Sequence, residues 1–533
     1  MSVLLTVLHG AAALVPSLPA AGPAVAADAS FVDASVRVEG SVLDWHFVDV
    51  EGDGPIELCI ALRTPEGARE LQLHRCSGRA IDPDPFRRIP ILKDIVAWTF
   101  ADVRPDLEGR ELVLLTRQGA WSFDPRRTSY KGNIQRLVET RLMFDFPTTR
   151  RLPHWEYVVR TGPGRPDHLL LPRRDGYEIV GPSGSRTEGA MPYAPIADFV
   201  APSRSAATDP EDRRGRAERA RARNEERGAR FEVTVGDRFE PFLGEGLGSA
   251  LVDDATSVRA PAVVDLDGDG RDDLLYVGED ALHVHLATAK GIPAEATRVE
   301  PIPDYLRSGS RAAALRLVDV DGDGRRDVLG VWQAESGELE NGQWRIYVMR
   351  ATADALLPAK PTQVLRFEAA ELRATVADVD GDGRPDLALR RFEMPSMIET
   401  VTGLEFRYSH LLYLGTRRGT FDRRPALKSE RTFDENSIRE IIANRDLSMD
   451  CSGDGIADLV EVDLKGRLGV RRLRRSSSLF GGDSWQIDEG YWKQYAARGS
   501  VTSLSVMDLN GDGVGDIVSA ADSVLTVYLS QKR

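Results

Sequence analysis

The chain has 533 residues, 42% of them hydrophobic and 29% charged, which supplies a folded core and excludes a disordered polar chain. Its formal net charge of −14 excludes a nucleic-acid partner, because phosphate backbones are held by clustered Lys and Arg. Beyond the N-terminal segment, no stretch has the roughly 20 continuous apolar residues of a membrane-spanning helix, which predicts no membrane span.

Residues 1–27 read as a signal peptide. Val3-Leu4-Leu5-Thr6-Val7-Leu8 opens an apolar, Ala-rich run, and Ala24-Val25-Ala26 has the small-x-small form of a cleavage site, although the first basic side chain is Arg37. The segment predicts an exported protein: periplasmic, cell-surface or secreted. Next, Ala34-Ser-Val-Arg-Val-Glu39 reads as a strand standing ahead of any unit of its own. Cys59 and Cys76 fall on what read as neighbouring strands; they either pair or act as small buried apolar side chains, while Cys451 has no evident partner.

A strand–loop–strand unit then recurs. It is faint at Asp49-Val-Glu51-Gly-Asp53-Gly-Pro-Ile-Glu57, where longer acids replace two aspartates. Only a skeleton remains around Asp102 and Glu111 and around Arg160. Residues 201–230 break the pattern with a mixed Arg/Glu/Ala segment behind a capping box at Thr208–Glu211, a charged polar insertion. The unit returns in full at Asp265-Leu-Asp267-Gly-Asp269-Gly-Arg271-Asp-Asp273, and again with Asp319, Asp321, Asp323, Arg325 and Asp327. A third full copy has Asp378, Asp380, Asp382, Arg384 and Asp386. Two weaker copies follow, with Asp450, Ser452, Asp454, Ile456 and Asp458, and with Asp508, Asn510, Asp512, Val514 and Asp516. The first aspartates of these five loops stand 54, 59, 72 and 58 residues apart.

Four short strands in about 55 residues, repeated about eight times, predict an all-β fold: a β-propeller of eight four-stranded blades, or seven if one N-terminal unit is not a blade. The boundaries read as blades with degenerate loops over 28–200, the insertion over 201–230, and blades with acidic loops over 231–533. The last unit stops at Val524–Leu529, one strand short, so the spare strand at 34–39 is expected to complete it and close the ring.

So many acids within nine residues repel one another without a cation. In the full loops, positions 1, 3, 5 and 9 offer carboxylates and the backbone carbonyl of position 7 adds an oxygen, while glycines at 4 and 6 let the chain wrap. Hard oxygen donors in that number suit Ca²⁺ better than Mg²⁺, which keeps its waters. About five ions are expected, with Ser452 and Asn510 weakening the last two sites. An EF-hand is excluded: its position-12 Glu is Tyr276, Gly330, Leu389 and Ser519 in four loops, and Glu461 in the other lies within an alternating strand.

These loops resemble the FG-GAP/VCBS repeats of integrin-α-like propellers, strongly over 250–533 and only as a skeleton over 35–200. The resemblance implies a loop joining the first two strands of each blade, with calcium stiffening the propeller through positions 1, 3, 5, 7 and 9. No nucleophile elbow, P-loop, zinc or dinucleotide motif is present. The expected role is a non-catalytic scaffold, a monomer, for an unknown protein or glycan partner; the alternative is a carbohydrate-active enzyme such as a polysaccharide lyase. His283 and His285 share one strand face and are expected to face solvent. Trp45, Trp98, Trp155, Trp332 and Trp344 are expected to pack between blades.

Overall fold

Short runs rich in Val, Leu and Ile, cut by Gly/Asp turns, can only pair with the run before and after them, and this produces antiparallel meanders. In the computed structural model, which describes residues 30–184, 231–235 and 261–531 apart from short stretches (the longest 143–151, 335–340, 395–405 and 434–444), they build an eight-bladed β-propeller. The expected signal peptide and the insertion at 201–230 lie outside the described residues.

The first blade consists of Ser41–Val48, Glu57–Arg63, Arg69–Ser77 and Arg87–Ile91, with Ala80–Ile81 as a short extra pairing. The second runs from Ile95–Ala101 through Glu111–Thr116 and Gly119–Phe123 to Ile134–Glu139. The third shows three described strands, Val158–Val159, His168–Arg173 and Gly176–Val180. The first strand pairs of blades four to six are Ala262–Val264 with Asp273–Val277, Ser310–Val318 with Asp327–Ala334, and Glu371–Ala377 with Asp386–Glu393. Blade seven opens with Arg445–Asp446 and Leu459–Val462 and carries an added hairpin, Leu473–Ser478 with Gly482–Ile487. Phe231–Val235 lies parallel to the first strand of blade five, an addition that the repeat does not predict.

The ring closes as its sequence implies. Ser30–Arg37 pairs antiparallel with Val524–Gln531 and becomes the fourth strand of the blade made by Ser503–Met507, Asp516–Ala521 and Val524–Gln531. First and last segments of the chain thus share one sheet, which removes two open edges at once.

The core lies between blades, not within them. Val318, Leu329 and Val348 of blade five pack with Leu372, Val376 and Leu411 of blade six in one apolar cluster. Val36, Val518 and Val527 of blade eight pack in the same way with Leu58 and Ile60 of blade one. At about 25 cal/mol per Å² of apolar surface, such faces stabilise the ring only when a neighbour covers them. Trp98, Trp155 and Trp332 are buried in these seams as expected, and Trp45 and Trp344 are half-buried against them.

One expectation fails, and one that the sequence left open is decided. His285 is 3% exposed, with Nδ1 3.0 Å from the Pro293 carbonyl, so the His283/His285 pair is not a solvent-facing one. Cys59 and Cys76 lie on adjacent strands yet remain free thiols. Cys59 sits opposite Leu73, three residues from Cys76, and odd spacing on a strand sends the two side chains to opposite sheet faces.

Candidate metal centres

Each acidic loop joins the first and second strands of its blade, and its backbone is organised by its own carboxylates. The first aspartate folds the turn. Asp265 accepts from the Gly268 N–H at 2.8 Å and the Gly270 N–H at 2.8 Å; Asp319 does so from Gly322 (2.7 Å) and Gly324 (2.9 Å). Asp450 and Asp508 repeat this with Gly453, Gly455, Gly511 and Gly513, and Asp378 accepts from Gly383 at 2.8 Å. The glycine at position 6 takes φ between 79° and 87° in all five loops, where a β-carbon is disfavoured.

The ninth residue staples the loop to its blade. Asp273 accepts from Leu266 N–H at 2.9 Å and from Ala287 N–H, beyond the third strand, at 2.6 Å. Asp327 accepts from Val320 and Ala351, Asp386 from Val379 and Gly415, and Asp516 from Leu509 and Ser530. Asp458 accepts from Cys451 and Ser452, while its Oδ1 is buried without a hydrogen-bond partner. Burial pushes the carboxyls of Asp273, Asp327, Asp386 and Asp516 up to about 6, and that of Asp458 up to about 7. Neighbouring loop aspartates add to the shift, because like charges disfavour the ionised form.

Three acidic triads come together, each with its ligand-type oxygens within 4.8 Å of one another: Asp265/Asp267/Asp269, Asp319/Asp321/Asp327 and Asp378/Asp380/Asp386. These are the three loops with a full ligand set in the sequence. Arg271 pairs with Asp269, Arg384 with Asp382 and Arg350 with Asp321, so guanidinium groups offset part of the charge. At position 7, the N–H of Arg271, Arg325, Arg384, Ile456 and Val514 donates to the position-5 carboxylate of Asp269, Asp323, Asp382, Asp454 and Asp512. In the last two loops Ser452 and Asn510 stand at position 3; Asn510 accepts from Asp512 N–H and donates to the Ser530 carbonyl.

The loops also touch one another, which sequence reasoning missed. The position-8 N–H of one loop donates to a carbonyl of the loop before it: Arg326 to Leu266 (3.0 Å), Ala457 to Val379 (2.9 Å) and Gly515 to Asp450 (2.6 Å). Arg110 to Val50 (3.0 Å) and Asp272 to Arg160 (2.8 Å) continue the series into the degenerate blades. Backbone contact between consecutive loops places them where blades converge, at the hub of one face. Pro385 has no N–H and cannot make this bond between blades five and six. A β-carbon on Gly268 would stand 2.6 Å from the Gly324 carbonyl, and one on Gly381 would run into that of Gly455. At Gly268 and Gly381 the neighbouring loop therefore requires glycine as well as the turn itself, whereas Gly322 and Gly511 have open space around them.

Loop, blade and repeat agree with a comparison against protein families, which matches an FG-GAP-like repeat at residues 265–330 and 319–389. The chain carries FG-GAP-like repeats. A comparison with curated proteins finds no match. Among solved structures, a chain in the crystal structure of BBS1N in complex with ARL6DN, soaked with lead, is similar at a TM-score of 0.34 and 10% identity, over 95% of this chain and 98% of that one. A likeness at that level assigns nothing to this chain. Among the described residues no helix is long and apolar enough to cross a membrane.

The donor set fits a hard divalent cation. Positions 1 and 9 spend oxygens on backbone N–H groups but keep lone pairs, and position 3 makes few bonds within its own loop. In these FG-GAP loops Asp265, Asp267, Asp269, Asp319, Asp321, Asp327, Asp378, Asp380 and Asp386 would hold the ion, all through oxygen. Held there, the cation would supply charge neutralisation and a cross-link across the loop.

Proposed function

We propose that this chain is an exported β-propeller, stabilised by about five Ca²⁺ ions, that serves as a non-catalytic, monomeric scaffold for a protein or glycan partner. The observation that carries it is the set of three acidic triads, each within 4.8 Å, on loops that hydrogen-bond to their neighbours at the hub. The ligands are those at positions 1, 3, 5, 7 (carbonyl) and 9, with the Asp450 and Asp508 loops weaker. Such sites bind ions tightly without leaving room for a substrate, so they support the scaffold and not a reaction. Residues 1–27 serve as the signal for export, 28–200 as blades that have lost their ligands, 201–230 as an insertion, and 231–533 as the calcium-bearing blades.

The lyase alternative needs a His, Tyr or Arg cluster open to a sugar. Among the described residues, a cavity beside Arg373, Arg390 and Tyr408 encloses only about 10 Å³, the room of one water molecule, whereas an open one of about 210 Å³ lined by Arg88, Arg127, Tyr130 and Lys131 has the basic and tyrosine side chains this alternative needs.

Calorimetric titration of chelator-stripped protein tests the metal reading. About five equivalents of calcium are expected, three tight and two weaker, with a melting temperature that rises with calcium concentration. Equal melting in EGTA and in millimolar calcium overturns it. Release of unsaturated products from uronic-acid polymers would overturn the non-catalytic part alone.

A further inference from the structure

Blades one and two meet away from the hub as well as in their apolar seam. There the fourth strand of blade one, Arg87–Ile91, faces the connection that leaves the third strand of blade two at Phe123 and enters the fourth at Ile134. That connection is braced by its own polar groups. The Asp124 carboxylate accepts from the Arg126 N–H at 3.0 Å, and the Asp124 carbonyl from the Arg127 N–H at 3.0 Å. Ser129 accepts at Oγ from the Lys131 N–H at 3.2 Å and at its carbonyl from Asn133 Nδ2 at 2.8 Å. Tyr130 fastens the connection to blade one. Its hydroxyl donates to the Pro90 carbonyl at 2.8 Å, and its ring stands edge-on to Phe123 with centroids 4.7 Å apart.

Between strand and connection lies an open cavity of about 210 Å³. Ile89, Pro90, Phe123 and Tyr130 give it apolar walls, and the charged side chains that line it, Arg88, Arg127 and Lys131, are all cations. Acids outside the lining hold the two arginines in place: Arg88 Nη1 is 2.9 Å from Glu70, and Arg127 Nε is 3.4 Å from Asp124, which also holds Arg126 at 2.8 Å. One such contact occupies only part of a guanidinium's fork of five donors, so an arginine oriented by its acid keeps N–H groups for a second acceptor.

Size and chemistry select the ligand. Drug-sized molecules fill pockets from about 300 Å³ upward, so this one takes a single small unit, the size of one sugar ring. A pyranose offers apolar C–H faces to such walls, and a uronate adds a planar carboxylate that a guanidinium can hold with two N–H donors. An acidic peptide brings the carboxylate without a ring for the walls. We propose that this cavity binds one uronate unit of an acidic polysaccharide, with Arg88, Arg127 and Lys131 around its carboxylate and its ring against Pro90 and Tyr130. The proposal rests on the reading of the chain as a scaffold with a glycan partner, and it gives that glycan its chemical class. The site binds and does not eliminate. The Tyr130 hydroxyl is committed to Pro90, and burial together with the charge of Asp94 pushes its pKa up, away from that of a working general base.

Calcium-saturated full-length protein is titrated by calorimetry with trigalacturonate, trimannuronate and a hyaluronan tetrasaccharide, and with the carboxyl-reduced form of each. At least one acid form is expected to bind, and its reduced form not to. Arg127→Gln and Lys131→Gln should each weaken that binding about tenfold, and Arg127→Lys less. The melting temperature should stay nearly unchanged in all three variants, because both side chains are exposed. Binding of none of the acid forms, equal binding of the reduced forms, undiminished binding in the variants, or equally tight binding of tetraglutamate overturns the proposal and leaves the calcium-stabilised scaffold standing. Release of unsaturated product by the wild type overturns the non-catalytic reading, while uronate binding and its loss in the variants would stand without it.

Discussion

Blades one to three and blades four to eight make the same loop with different chemistry. In the later blades the ninth residue is Asp; blade one has Glu57 there, and blade two, whose loop is one residue longer, has Glu111 in its place, yet these accept from Val50 N–H (2.8 Å) and Val103 N–H (2.9 Å) just as Asp273 accepts from Leu266. Asp49 still folds its turn through Gly52 and Gly54. What disappears is position 3: Arg104 occupies it in blade two and pairs with Asp106 at 2.7 Å, and Thr161 occupies it in blade three. The acid that closes the loop therefore serves the backbone in blades one and two as it does in blades four to eight, whereas the carboxylate at position 3 is absent from blades two and three. Arg104 places a guanidinium where the full loops carry a carboxylate.

Chelation is the strongest way to test that division. EGTA should lower the melting temperature on the order of 10 °C, since several sites contribute linkage energy together. Hydrogen exchange should show the protection loss concentrated in blades four to eight; an equal loss in blades one to three would erase the distinction. Next in size is the contact between loops. Gly381→Ala is expected to cost about 3 kcal/mol or more in urea unfolding, because the left-handed φ and the Gly455 carbonyl both oppose a β-carbon. Gly383→Ala, with open space around it, should cost about 1 kcal/mol from φ alone.

A smaller effect separates ligand from staple. Asp267→Asn should weaken its site roughly tenfold in calcium titration, about 1.4 kcal/mol, and leave stability in EGTA nearly unchanged. Glu51→Gln, at the same position of blade one, should leave calcium binding as it was.

The smallest effect is a pH dependence in blade two. Burial pushes Glu111 up to about 7, so the folded chain holds this proton more tightly than the unfolded chain does. Its stabilising contribution is complete below the ordinary carboxyl value and is lost as pH rises through about 7. In EGTA, wild type should lose stability relative to Glu111→Gln between pH 5 and pH 7.5. A constant difference between the two across that range would mean that Glu111 is already ionised in the fold.

By itself the sequence determined the repeat, the strand-loop-strand blade, the closing strand at the N-terminus and the residues of the three acidic triads. The repeat, the blade and the triads are local, since ligand spacing within nine residues and alternation within a strand do not depend on distant partners; the closing strand was legible only because the last unit is one strand short. Only the tertiary structure decided which acids are staples, because Asp273 meets Ala287 just past the end of the adjacent strand. The same holds for the cysteines, whose faces follow from register. The FG-GAP loops on which the reading rests were legible as acidic repeats. The series of hydrogen bonds between them was not, since a backbone N–H carries no signature in the sequence beyond its absence at Pro385.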